Sequence, residues 1–133
     1  MKSYLIILMV LIGFSGTVIF SSCSESSSKQ ETYEGSQTGL SKQQQDKLME
    51  LQTEYIDLIE KLRGEMRQFD NAYRNGRMVN YEYAKMNATV LDLRRVANNI
   101  KAIDAETAIP YLEKCEELEY GLKEAGRQTG APY

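Results

Sequence analysis

Apolar residues recur every three or four positions from the first third of the chain onward. Leu48, Leu51, Tyr55, Leu58, Leu62, Met66, Phe69 and Tyr73 form one such series. Glu50, Glu54, Glu60, Lys61, Glu65 and Arg67 lie between them. That spacing traces one face of an α-helix. Ser41 followed by Gln44 is a capping-box pattern, which satisfies backbone donors left open at a helix start. Gly64 costs about 1 kcal/mol of helix propensity, yet the period runs through it. Asn75-Gly76 predicts the stop, because both residues tolerate left-handed backbone at a helix end.

A second series begins near Asn80, which is a suitable cap residue. Tyr83, Met86, Val90, Leu93, Ala97 and Ile100 carry it, and Val96 and Ile103 widen the stripe. Asp104–Thr107 interrupts the pattern. A third helix is predicted from Ala108 to Ala125, with Leu112, Cys115, Leu118 and Leu122 on its apolar face. Pro110 fits there only in the first turn, where its missing donor does no harm. Gly126 is expected to end the helix, with 127–133 a loose tail. The fold class is therefore all-α, a small antiparallel three-helix bundle. The alternatives are a long helical hairpin or an oligomeric coiled coil. At 1.5 Å per residue the first helix spans about 50 Å and the second about 36 Å. Paired from Gly76, the second runs out near Gln52 and leaves Ser41–Leu51 overhanging. Either the boundaries lie a few residues off, or that end meets another chain.

The start of the chain has a different character. Lys2 precedes an apolar run, Tyr4–Phe20, which ends at Ser21, Ser22 and Cys23. A charged start, an apolar middle and a small-residue exit make a secretory signal. A membrane span would need about 20 apolar residues, and Gly13, Ser15, Gly16 and Thr17 interrupt this run. No basic stop-transfer cluster follows it. Ser24–Gly39 is polar, with Tyr33 its one large side chain. Such a composition cannot bury enough surface to order itself, so a disordered, flexible tether is expected.

Phe20-Ser21-Ser22-Cys23 resembles the lipobox of bacterial lipoproteins. The usual box has Leu first and Gly or Ala before the cysteine; here Phe20 and Ser22 stand in those places. The resemblance covers Met1–Glu25 and leaves the fold unaddressed. It implies lipidation of Cys23 on sulfur, cleavage before Cys23, and acylation of the new amine. Membrane lipid is then a partner through Cys23. One acyl chain binds marginally, each buried methylene contributing about 0.8 kcal/mol, whereas two or three hold durably. Ser24 in place of Asp is similar to lipoproteins sorted to the outer membrane, and Glu25 has a weaker likeness to acidic surface-export tags. The expected layout is a signal peptide over 1–22, the lipidated cysteine and tether over 23–40, the bundle over 41–126 and the tail over 127–133. The implied location is the cell envelope, lipid-anchored at the outer membrane, in the periplasmic or surface-facing leaflet.

The net charge is −3, and removing a segment that carries only Lys2 makes it −3 − 1 = −4. Nucleic-acid binding, which needs a basic face, is not expected. Histidine is absent. Ser-His-Asp and Cys-His nucleophile systems cannot be built without it, nor can histidine-based zinc, iron or haem sites. No calcium-loop motif occurs, and no metal or cofactor is expected. Cys115 sits on an apolar stripe and reads as a small buried hydrophobe; a reactive thiol or an intermolecular bridge is the alternative. Glu113, Glu116, Glu117 and Glu119, like Glu54, Asp57 and Glu60, read as solvated helix faces. A catalytic carboxylate pair is the alternative for them.

Arg63, Arg67, Arg74 and Arg77 gather toward the first turn, with Asn80, Tyr81 and Tyr83 nearby. Arginine and tyrosine are the residue types of binding hot spots. Tyr83 belongs to the apolar stripe, so Arg74, Arg77 and Tyr81 are the partner-binding candidates. Ordinary surface arginine is the plainer account of the same residues. The expected function is a non-enzymatic envelope lipoprotein. Its bundle would serve protein–protein interaction, with a protein partner or with itself, or envelope structure. A glycan or small-ligand binding module, or an inhibitor or immunity-type lipoprotein blocking a secreted enzyme, are the alternatives.

Overall fold

The computed structural model describes residues 39–131. The expected signal, the lipobox-like border at Cys23 and nearly all of the expected tether lie outside them. The chain divides into two units, Met1–Gln45 and Asp46–Tyr133. In the first, Ser41 caps the start of α1 (Lys42–Arg74). Its amide donates to Gln44 Oε1 at 2.9 Å, and the Gln44 amide donates to Ser41 Oγ at 3.2 Å. The expected capping box is thus formed.

The second unit holds the rest of α1, then α2 (Asn80–Ile103) and α3 (Ala105–Thr129). Together they make an antiparallel three-helix bundle, and no strand occurs among the described residues. Gly76 adopts φ +67°. The Arg77 amide donates to the Ala72 carbonyl at 2.9 Å, and the Gly76 amide to the Tyr73 carbonyl at 3.0 Å. This pair of bonds satisfies carbonyls that the last helical turn leaves open. The Asn75-Gly76 stop is where the sequence put it.

Several boundaries differ from expectation. Asn80 does not cap α2: Val79 occupies the cap position with no side-chain bond. Val79 is buried, so packing rather than a polar cap fixes this entry. The break before α3 is one residue, Asp104, in extended backbone. Its carboxylate accepts from the Glu106 amide at 3.1 Å and from the Thr107 hydroxyl at 2.7 Å. With Asp104 as the cap, α3 starts three residues earlier than predicted, and Pro110 falls inside it. The carbonyl four residues back, on Glu106, then lacks its helical donor. Glu106 and Pro110 are both exposed, so solvent takes that donor's place.

Gly126 does not end α3. The helix passes through it to Thr129 and stops at Gly130, with φ +70°. The expected tail is therefore helical over its first residues, and Ala131 is buried. Gly126 is instead a packing contact: a Cβ there would lie 2.9 Å from Tyr83 Oη. Tyr83 is itself buried, so α2 and α3 meet with aromatic ring on bare backbone.

The core line of α1 is Leu51, Tyr55, Ile59, Leu62, Phe69 and Ala72, with Glu65 among them. The expected series slips by one residue in its middle and at its end. Leu58 and Met66 are only half-buried, and Tyr73 is exposed. The series predicted for α2 is buried from Tyr83 to Ile100, and that for α3 is buried at Cys115, Leu118 and Leu122. Leu51 belongs to the core, so it does not overhang, whereas Leu48 is half-buried.

Two glycines predict opposite responses to one substitution. Nothing lies within 4 Å of a Cβ at Gly64. Gly64→Ala in dilute protein stabilises by about 0.5–1 kcal/mol through backbone entropy. Gly126→Ala destabilises by about 1–2 kcal/mol, because overpacking against the buried Tyr83 ring outweighs that gain. Urea unfolding reads both signs, and a stabilised Gly126→Ala protein would contradict the ring-on-glycine contact.

The Asp104 cap predicts a pH dependence. The Thr107 hydroxyl, and then the Thr107 and Glu106 amides, hold its carboxyl below the ordinary value. A carboxyl lowered on folding stabilises above its unfolded pKa, about 3.9, and loses that effect as pH falls through the folded value. Asp104→Ala therefore lowers Tm at pH 7, and the deficit narrows in acid. An equal deficit at both pH values removes the carboxylate charge from this account.

Candidate functional site

Three of the seven exposed large apolar side chains among the described residues, Tyr73, Met78 and Tyr81, lie at the connection from α1 to α2. Val79 turns inward and is 4% exposed. Its carbonyl accepts from the Tyr83 amide at 2.8 Å, which starts α2. With Val79 committed to the core, its neighbours Met78 and Asn80 point outward. Met78 is 83% exposed, Tyr81 68% and Tyr73 44%. Burying such groups against a partner is favourable in proportion to apolar area.

The charges around them are unevenly used. Arg74 bonds Asp70 at 2.8 Å, one helical turn back. Lys85 Nζ lies 4.6 Å from the centre of the Tyr81 ring, a cation–π contact at an exposed site. Arg77 is exposed and has no ion pair among the described residues. Arg63 is held by Glu60 at 2.6 Å, further back along α1. The three partner-binding candidates all lie at or beside this turn, Arg74 at the end of α1, Arg77 in the connection and Tyr81 in the first turn of α2, and all three are exposed. The structure adds Tyr73, Lys85 and above all Met78. Met78 fits neither helical stripe, and without the burial of Val79 nothing in the sequence singles it out.

The thiol lies elsewhere. Cys115 is fully buried, as expected of a core hydrophobe. The Tyr55 hydroxyl donates to the Tyr111 carbonyl at 3.1 Å and lies 3.6 Å from Cys115 Sγ. The Tyr55 and Tyr111 rings meet edge-on, 4.9 Å apart at 80°. Burial pushes the Cys115 thiol above its ordinary pKa, against a smaller opposing pull from the Tyr55 hydrogen bond. Burial, then Cys115, pushes the Tyr55 phenol up as well. A raised thiol pKa means little thiolate, the reactive form. Next to it, the stem of Lys114 is buried while its Nζ reaches Glu117 at 3.1 Å.

The acidic clusters are divided among partners. Glu119 accepts from Nε and Nη2 of Arg94, each at 2.9 Å, and Glu54 faces Arg95 at 3.6 Å. Glu113, Glu116 and Asp57 are exposed. Among the described residues no three His, Cys, Asp or Glu side chains come together as a metal site, and no helix is long and apolar enough to cross a membrane. No family model, curated protein or solved structure matches this chain.

Thiol reagents should modify native Cys115 only at the rate of unfolding, and Cys115→Ala should cost about 1–2 kcal/mol for a small buried group. Labelling of folded protein as fast as that of a free thiol would contradict the packing.

Proposed function

We propose that this chain is a lipid-anchored lipoprotein of the bacterial envelope, without enzymatic activity, that presents its helical bundle to a protein partner at the α1–α2 turn. The exposed group Arg77, Met78 and Tyr81 carries the reading. It combines apolar area, an aromatic ring and a guanidinium without an ion pair among the described residues, the composition of binding hot spots. The lipobox-like border at Cys23 supports the anchor, and the absence of histidine supports the non-enzymatic part.

Two measurements test the two parts. Cys23→Ser should leave an uncleaved precursor and abolish fatty-acid labelling; undiminished labelling rejects the anchor. A photo-crosslinking side chain at Met78, in the full chain in its own cells, should trap one discrete protein. The adduct should be lost when Arg77→Ala and Tyr81→Ala are added, each costing about 2 kcal/mol of affinity, while stability shifts by less than about 0.5 kcal/mol. The same crosslinker at Tyr120, exposed on α3, is the control. Identical adducts from both positions reject the turn as the contact.

A further inference from the structure

The second helix carries two apolar seams. The inward one is buried from Tyr83 and Met86 to Ala97 and Ile100. The outward one is Tyr81, Ala84, Ala88 and Leu91, at steps of three, four and three. At 3.6 residues per turn these four lie within about 80° of one another, on the side opposite the core. All four are exposed, Tyr81 by 68% and Leu91 by 60%. A helix with one buried face ordinarily carries polar residues on the other. Here no charged residue lies between Tyr81 and Leu91 on the outward seam; Lys85 and Asp92 flank one side of it and Asn87 the other. Met78, 83% exposed, stands just before its start.

We propose that this outward seam of α2 is a docking groove for an acidic amphipathic helix of the protein partner met by the α1–α2 turn, an inference that rests on the reading of that turn as a partner contact. Steps of three and four match the ridges of a helix, whereas a strand repeats every two residues. Ala84 and Ala88 let a second helix come close, and Tyr81 and Leu91 stand up at either end of that low stretch. The charges at the two ends call for carboxylates. Arg77, before the seam, has no ion pair among the described residues. Arg95, one turn beyond Leu91, is 63% exposed at its side chain and is shared between Asp92 at 3.3 Å and Glu54 at 3.6 Å, exposed pairs that are easily exchanged. A second copy of this chain does not supply the complement. An antiparallel copy that sets Tyr81 opposite Leu91 and Ala84 opposite Ala88 also sets Arg77 opposite Arg95. A parallel copy in register sets every charge against its like.

A photo-crosslinking side chain placed in turn at Ala84, Ala88 and Leu91 of the full chain, in its own cells, tests the proposal. The three positions should capture the protein that Met78 captures. Sequencing of the adducts should place the captured residues in one stretch, three or four positions apart, with Asp or Glu beside them. Ala88→Arg should lower the Leu91 adduct at least tenfold with helicity and melting unchanged, since the position is exposed. Arg95→Glu should lower it at least threefold, and changing a carboxylate of the captured stretch to Lys should restore it. An adduct from Met78 alone overturns the seam and leaves the turn reading standing. Helically spaced adducts from the three α2 positions without one from Met78 reject the turn and leave the seam. Captured copies of this chain, lipid adducts, captured residues without helical spacing, a captured stretch rich in Lys or Arg, or no adduct at all each overturns the proposal.

Discussion

A hydroxyl in the centre of the core constrains this bundle more than any other group. Tyr55 is the largest fully buried side chain, and a buried hydroxyl without a partner costs about 1–3 kcal/mol. The Tyr111 carbonyl is that partner. The bond fixes α1 along α3 to within a residue, because shifting either helix by one position breaks it. The edge-on ring of Tyr111 and the small side chain of Cys115 fit around the same phenol. Cys115 is therefore best understood by its size. A larger residue would displace the Tyr55 ring, and a polar one would compete for its hydroxyl.

Along α2 and α3 the constraint is of another kind. These two helices approach most closely along their backbones, with Tyr83 lying directly on Gly126. At their other end Asp104 alone makes the corner. The bidentate pair of Arg94 and Glu119 lies between these points. The α2–α3 hairpin is thus pinned by a one-residue connection, an ion pair and a ring on glycine. The first helix is added through long side chains, Tyr55, Leu62 and Phe69. The turn that joins it needs only Gly76 to stop one helix and Val79 to seat the next. That economy leaves Met78 and Tyr81 outside.

Helix number, order and most core positions were legible from spacing, because three-four periodicity reports directly on which face is buried. The Ser41–Gln44 box and the Asn75-Gly76 stop were legible because each has one local mechanism. Gly126 was misread because a helix stop and a packing contact use the same residue for different reasons. Distinguishing them needs Tyr83, forty-three positions away. Pro110 pushed the expected start of α3 too late, since solvent can replace a missing donor on an exposed face. On α1 the series was followed through apolar residues alone, so it passed over Glu65 and ran on to Tyr73. At the turn, residue type pointed to Arg74, Arg77 and Tyr81, but Met78 is conspicuous only once Val79 is known to be inside.

The middle of α1 breaks two rules in adjacent residues. Glu65 is buried, with one carboxylate oxygen lacking a partner and Lys61 4.0 Å from the other. Gly64 lowers helix propensity where nothing among the described residues requires it. Either residue alone would be a small defect. An unpaired polar atom costs of order 1–3 kcal/mol, and a mid-helix glycine about 1 kcal/mol. Local rules in a folded chain tend to agree with one another, and places where they fail together mark sites held for another reason. Glu65 turns toward the core and Gly64 away from it, so their shared origin cannot be the packing of one face. What they have in common is position: they are adjacent in the middle of α1. The exposed Lys61 lies 4.0 Å from the Glu65 carboxylate, and an exposed cation at that distance offsets little of the burial cost, so the cost of this helical turn must be outweighed by the bundle contacts on either side of it.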